Sequence, residues 1–129
     1  MGYNFYDENR RLVVGNYDTF VIPFNINNHT PLATESYVFT IRRVLEPSKR
    51  MGQIPTLGDI VFQQTVAYAD LVETDTGCSF TVSASQAEAA NIPAGINAYD
   101  LAIANSAGST EFELIPPSEF IVGEVLRYA

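Results

Sequence analysis

Phe20, Ile22, Phe24 and Ile26 fall on every second residue of one short segment. An extended strand turns that period into a single apolar face, whereas a helix would scatter the same side chains around its axis. Thr19, Val21, Pro23 and Asn25 take the opposite face. Pro23 has no N–H to give to a ladder, which predicts that this strand, over Asp18 to Ile26, lies at a sheet edge or carries a bulge.

The same period recurs along the chain. Tyr37, Phe39 and Ile41 alternate with Val38, Thr40 and Arg42, predicting a second strand in the same core. The turn formers of Asn27-Asn28-His29-Thr30-Pro31 make the link between the two a loop, with Thr30 held extended by Pro31. From Glu46 to Thr56 two prolines and a glycine predict the longest loop. Ile60 to Val66 resumes a strand, Leu71-Val72 leads to the polar turn 73–77, and Cys78, Phe80 and Val82 face inward from the strand that follows.

Ser85-Gln86-Ala87-Glu88 is a capping box, so one or two helical turns are expected before Pro93 and Gly95 end them. Tyr99, Leu101 and Ile103 then alternate with Asp100, Ala102 and Ala104, and the small residues of Asn105 to Gly108 lead to a return strand carrying Phe112 and Leu114. That is a hairpin pattern. Pro116-Pro117 is read as interrupting the return strand, and Phe120 to Leu126 closes the chain. With Leu12 to Val14 as a first strand, the total is seven or eight.

Short, closely spaced strands with one helical turn predict an all-β fold, an antiparallel β-sandwich, because a parallel α/β design needs long helices. Residues 12–129 are expected to form one sandwich domain and residues 1–11 an N-terminal arm. A chain of 129 residues is long enough to bury roughly two-thirds of its unfolded surface without a covalent staple.

The chain carries 15 acidic and 7 basic residues, a net charge of −8. A polyanion would be repelled, which excludes nucleic acid as a partner. No apolar run approaches the roughly 18–20 residues that span a bilayer, and Asp7, Glu8, Arg10 and Arg11 break the apolar core a signal peptide needs. The expectation is a protein with no membrane span that stays in the compartment where it is made.

Little stock for catalysis is present. Cys78 is the single cysteine, excluding an internal disulfide and a thiolate metal cluster, and its place in an alternating strand makes it a small core hydrophobe. His29, the single histidine, sits among turn formers and reads as a solvated loop residue. Asp70, Glu73 and Asp75 precede Gly77 without the ligand spacing of a calcium loop. Asn28-His29-Thr30 matches a glycosylation sequon, an accidental match in a chain without a secretory leader. No cofactor, no metal and no enzymatic activity are therefore expected.

Two groups read as contact surfaces instead. Arg42, Arg43, Lys49 and Arg50 hold four of the seven basic residues and suit an acidic surface on a neighbouring subunit. Tyr3, Phe5 and Tyr6 place three aromatics in the arm, where they either fold back on the sandwich or dock on another chain. A competing reading is a carbohydrate- or small-ligand-binding sandwich that stacks sugars on Tyr and Phe; the absence of Trp weighs against it.

Several segments carry a family resemblance. Gly15-Asn16-Tyr17-Asp18-Thr19-Phe20 is similar to a "G-D-T" lead-in to an alternating strand, and Thr30-Pro31-Leu32 precedes a strand ending Thr40-Ile41-Arg42-Arg43. Phe80-Thr81-Val82-Ser83 leads to the capped turn, Ile92-Pro93-Ala94-Gly95 to Ala98-Tyr99-Asp100-Leu101, and Phe120 to Val125 forms a closing strand. From about Gly15 to Val125 the chain resembles the N-terminal immunoglobulin-like domain of phage baseplate upper proteins. It departs at the inserted Asn16-Tyr17 and in the long loop from Glu46 to Leu57. The resemblance implies an immunoglobulin-like sandwich and a non-enzymatic virion or prophage part. Its partners would be other tail or baseplate subunits or further copies of itself, in a homo-oligomer. It would reside in the bacterial cytoplasm during assembly and then in the virion.

Overall fold

Alternating apolar residues generate two sheets that share one interior. The structure, a computed structural model, describes residues 12–15, 19–46, 56–105 and 110–123. Its strands are β1 (Leu12–Gly15), β2 (Phe20–Asn27), β3 (Ser36–Glu46), β4 (Thr56–Ala67), β5 (Val72–Glu73), β6 (Gly77–Ala84), β7 (Gly95–Ala104) and β8 (Thr110–Gly123). One sheet has the order β1-β8-β7-β3-β4 and the other β2-β6-β5. All pairs are antiparallel except β1 with β8, which is parallel.

This is an immunoglobulin-like sandwich, a five-stranded sheet packed on a three-stranded one. In many such domains a disulfide between the sheets packs on a tryptophan of the third strand. This chain has one cysteine and no tryptophan, and rings join the sheets instead. Phe39, fully buried on β3, lies 5.8 Å from Phe24 of the opposite sheet. Within its own sheet it lies 5.6 Å from Tyr99, 6.1 Å from Phe62 and 6.5 Å from Phe120. Phe20 reaches across to Phe62 and Phe120, at 5.5 Å each, and Phe80 reaches Tyr37 at 5.1 Å.

The alternation of β2 holds residue for residue. Phe20, Ile22, Phe24 and Ile26 are buried, while Val21, Pro23, Asn25 and Asn27 are exposed. Pro23 lies on an edge strand, the position its missing N–H requires. Tyr37, Phe39, Ile41, Cys78, Phe80, Val82, Leu101 and Ile103 join the same core.

The capping box forms in full. Ser85 Oγ accepts from the Glu88 N–H at 3.2 Å, and Glu88 Oε1 accepts from the Ser85 N–H at 2.9 Å. The helix it starts, α1, is a single turn (Gln86–Ala89), and Gly95, at a φ of 102°, opens β7 in a conformation that side-chain-bearing residues avoid.

Three readings need correction. Pro116-Pro117 does not interrupt the return strand: β8 runs through both prolines. The register steps from Tyr99↔Ser118 to Leu101↔Ile115, so the prolines fall in a bulge where no ladder N–H is needed. The segment read as loop from Glu46 is also shorter, because β3 reaches Glu46 and β4 begins at Thr56, paired through three register shifts. Finally, β7 does not alternate cleanly. Ala98, Ala102 and Ala104 are buried although they face away from the core, since flanking strands shield small side chains on a central strand.

Candidate functional site

Where the titratable groups sit decides what the surface can do. At the end where β2 passes into β3, Asn28 adopts a left-handed conformation (φ 66°) and donates its N–H to Thr76 O at 2.8 Å. Thr76 Oγ1 donates to Asn27 Oδ1 at 2.7 Å. Glu35 is buried, and its Oε1 accepts from the Leu32 N–H at 3.0 Å and lies 3.0 Å from His29 Nε2. His29 is thus half-buried and paired, not solvated as its neighbours in sequence suggested. The carboxylate fastens the β2–β3 loop to itself, a structural task that a turn-rich sequence hides because Glu35 lies outside the turn residues.

Beneath that loop, the Tyr37 hydroxyl and Cys78 thiol are both buried. The hydroxyl is fully enclosed without a hydrogen-bond partner of good geometry. Burial first, and then the Cys78 thiol beside it and the Glu35 carboxylate, push the Tyr37 phenol far above its usual range. It stays a neutral core group. Cys78 is sealed from solvent, which suits packing and denies access to a reagent.

Asp70, Glu73 and Asp75 are all exposed on the turn after β4, on β5 and on the β5–β6 turn. The Tyr68 hydroxyl donates to Glu73 Oε1 at 3.1 Å, which raises the phenol above its usual range. Among the described residues, no three His, Cys, Asp or Glu side chains gather as a metal site would require. No helix among them is long and apolar enough to cross a membrane.

The residues expected at an interface divide into two groups. Tyr3, Phe5, Tyr6, Lys49 and Arg50 lie outside the described residues. Arg42 and Arg43 lie near the end of β3, Arg42 half-buried and Arg43 exposed. Arg42 pairs with Ala98 of β7 and Ile60 of β4, so the three share the outward face of the large sheet. Asp100 lies on that face, half-buried. Burial raises its carboxyl most, Glu113 adds to the rise, and Arg42 partly offsets it.

Sequence reasoning missed the apolar residues around these arginines. Leu45 is 60% exposed, Ile96 52% and Ile60 44%. Leu45 lies over Gly58, where an added Cβ would come within 2.9 Å of its side chain. Ile96 pairs with Ile121 on the outward face. The only signal in the sequence was the apolar pair Val44-Leu45 continuing past the last alternating residue.

Comparison with protein-family models, with curated proteins and with solved structures found no match.

Proposed function

We propose that this chain is a structural module of a phage or prophage tail or baseplate, working through contact with other protein subunits and catalysing no reaction. The observation that carries the reading is the gathering of exposed Leu45, Ile60 and Ile96 with Arg42 and Arg43 at one end of the large sheet. Single exposed apolar residues are ordinary. Large apolar side chains interleaved with arginine are the composition of interface cores, which favour Arg and shed Lys, Glu and Asp.

The tail context comes from the motif resemblance between Gly15 and Val125. On this reading the protein accumulates in the bacterial cytoplasm and ends in the virion. Immunogold labelling of particles released from a host carrying the coding sequence tests it. Label on tails is expected; protein abundant in cells but missing from purified particles would refute the assignment.

A further inference from the structure

Glu35, Tyr37 and Cys78 put a carboxylate, a phenol and a thiol under one loop. β2 finishes at Asn27 opposite Gly77, and β3 starts at Ser36 opposite Ala67 and Ala104. The β2–β3 loop therefore closes the end of the interior where Tyr37 and Cys78 are the first inward-facing side chains of β3 and β6. The Tyr37 ring packs on Phe80 at 5.1 Å, and its hydroxyl lies beside the Cys78 thiol. The loop rests directly on this layer: a Cβ on Gly77, the residue before Cys78, would stand 3.1 Å from the His29 carbonyl oxygen.

Two opposed terms act on that closure. Asn28, whose N–H reaches Thr76 O at 2.8 Å, fixes where the loop leaves β2. Beyond it only Pro31 and Glu35 are buried up to the start of β3, and a segment that buries so little opens at a lower free energy than the sandwich as a whole. Glu35 holds it shut, because its Oε1 accepts from the Leu32 N–H and lies 3.0 Å from His29 Nε2. Tyr37 pushes the other way. Its hydroxyl is fully enclosed, and among the described residues no group meets it in hydrogen-bond geometry. The thiol beside it is a weak partner, and an enclosed hydroxyl carries a desolvation cost that contact with water removes.

We propose that residues 29–35 form a lid that opens and closes as a unit while the sandwich stays folded, latched by the Glu35 carboxylate and opposed by the enclosed Tyr37 hydroxyl, and that opening presents Tyr37 and Cys78 to solvent. The lid belongs to the folded chain whatever its partners are, so it goes beyond the assembly reading above and fails separately from it.

Cys78 is the single cysteine, so its labelling by an aromatic disulfide reagent that releases a coloured thiolate reads the lid alone. The full chain is labelled at rising urea, below its unfolding transition, beside an equilibrium unfolding curve. Opening of the lid exposes little surface, so the labelling rate should stay nearly flat with urea, whereas access through global unfolding would rise with the full slope of that curve. Glu35→Ala removes the latch and should speed labelling about tenfold or more. Tyr37→Phe removes only the enclosed hydroxyl and should slow it by about five- to a hundredfold. Opposite signs from two neighbouring residues are not what general loosening of the core produces, and Tyr37→Phe keeps the test open if Glu35→Ala does not fold. A native thiol that reacts only with the urea dependence of global unfolding, a folded Glu35→Ala that labels no faster, or a Tyr37→Phe that labels no slower would each overturn the proposal.

Discussion

Replacing Phe39 by alanine tests whether rings join the two sheets in place of a disulfide. Phe39 is fully buried and has four ring neighbours at 5.6 to 6.5 Å, one of them on the opposite sheet. Deleting a buried phenylalanine side chain costs about 3–5 kcal/mol through lost transfer energy and the cavity left behind. Aromatic pairs add about 0.5–1.5 kcal/mol each beyond burial. Those pair energies overlap with the burial cost, so about 4–5 kcal/mol is the expected loss.

A domain of this kind is stable by only about 5–15 kcal/mol, so Phe39→Ala should remain folded but lose a large share of its margin. Urea unfolding followed by far-ultraviolet circular dichroism measures it. With a slope of about 2 kcal/mol per molar, the midpoint should fall by roughly 2 M at unchanged slope. Phe39→Leu keeps most of the apolar bulk while losing the ring edges, and should cost about 1–2 kcal/mol. A loss below about 2 kcal/mol for the alanine variant, with the slope unchanged, would show that the sheets are joined elsewhere.

Three further outcomes follow from named contacts. A Cβ at Gly77 would sit 1.9 Å from the Ile26 carbonyl oxygen, a backbone atom that cannot step aside, so Gly77→Ala should cost about 3 kcal/mol or more in urea unfolding. Ser85→Ala removes the acceptor for the Glu88 N–H and should cost about 1 kcal/mol, with Ser85→Asp retaining most of it; equal losses in both variants would count against the cap. Asp100 has its carboxyl raised, chiefly by burial and then by Glu113. The folded chain therefore holds that proton more tightly than the unfolded one, and stability falls as pH rises from the ordinary carboxylate range through the folded value. Asp100→Asn should melt higher than the native chain at neutral pH, with the gap closing in acid; a native chain at least as stable at neutral pH would contradict the sign.

The interior was legible because most of its strands are buried on one face only. In β2 and β6 a period of two separates core from solvent without ambiguity, and Phe20, Ile22, Phe24, Cys78, Phe80 and Val82 all lie where the period puts them. The capping box was legible for a related reason, since its two hydrogen bonds join residues three apart. Pro116-Pro117 misled because a bulge depends on the partner strand. One extra residue opposite Asp100 accommodates two missing N–H groups, and no local pattern in β8 records where β7 permits that.

That Arg42 and Arg43 lie near the end of a strand was legible, and the exposure of the apolar residues beside them was not, for one physical reason. Alternation assigns a residue to the core or the outside only while a second sheet lies over the strand. At Arg43 the register with β7 ends, and beyond it β3 keeps register with β4 alone. Leu45 then reads as one more apolar residue in a strand, while in the structure it is 60% exposed. Charge carries its meaning without a partner strand, because a basic group in a chain of net charge −8 stands out wherever it is placed. An apolar side chain acquires meaning only from what covers it. The exposed apolar residues therefore have to be tested by finding their partner: if the double variant Leu45→Ser, Ile60→Ser still labels the tails of released particles as the native chain does, those residues are incidental to the contact.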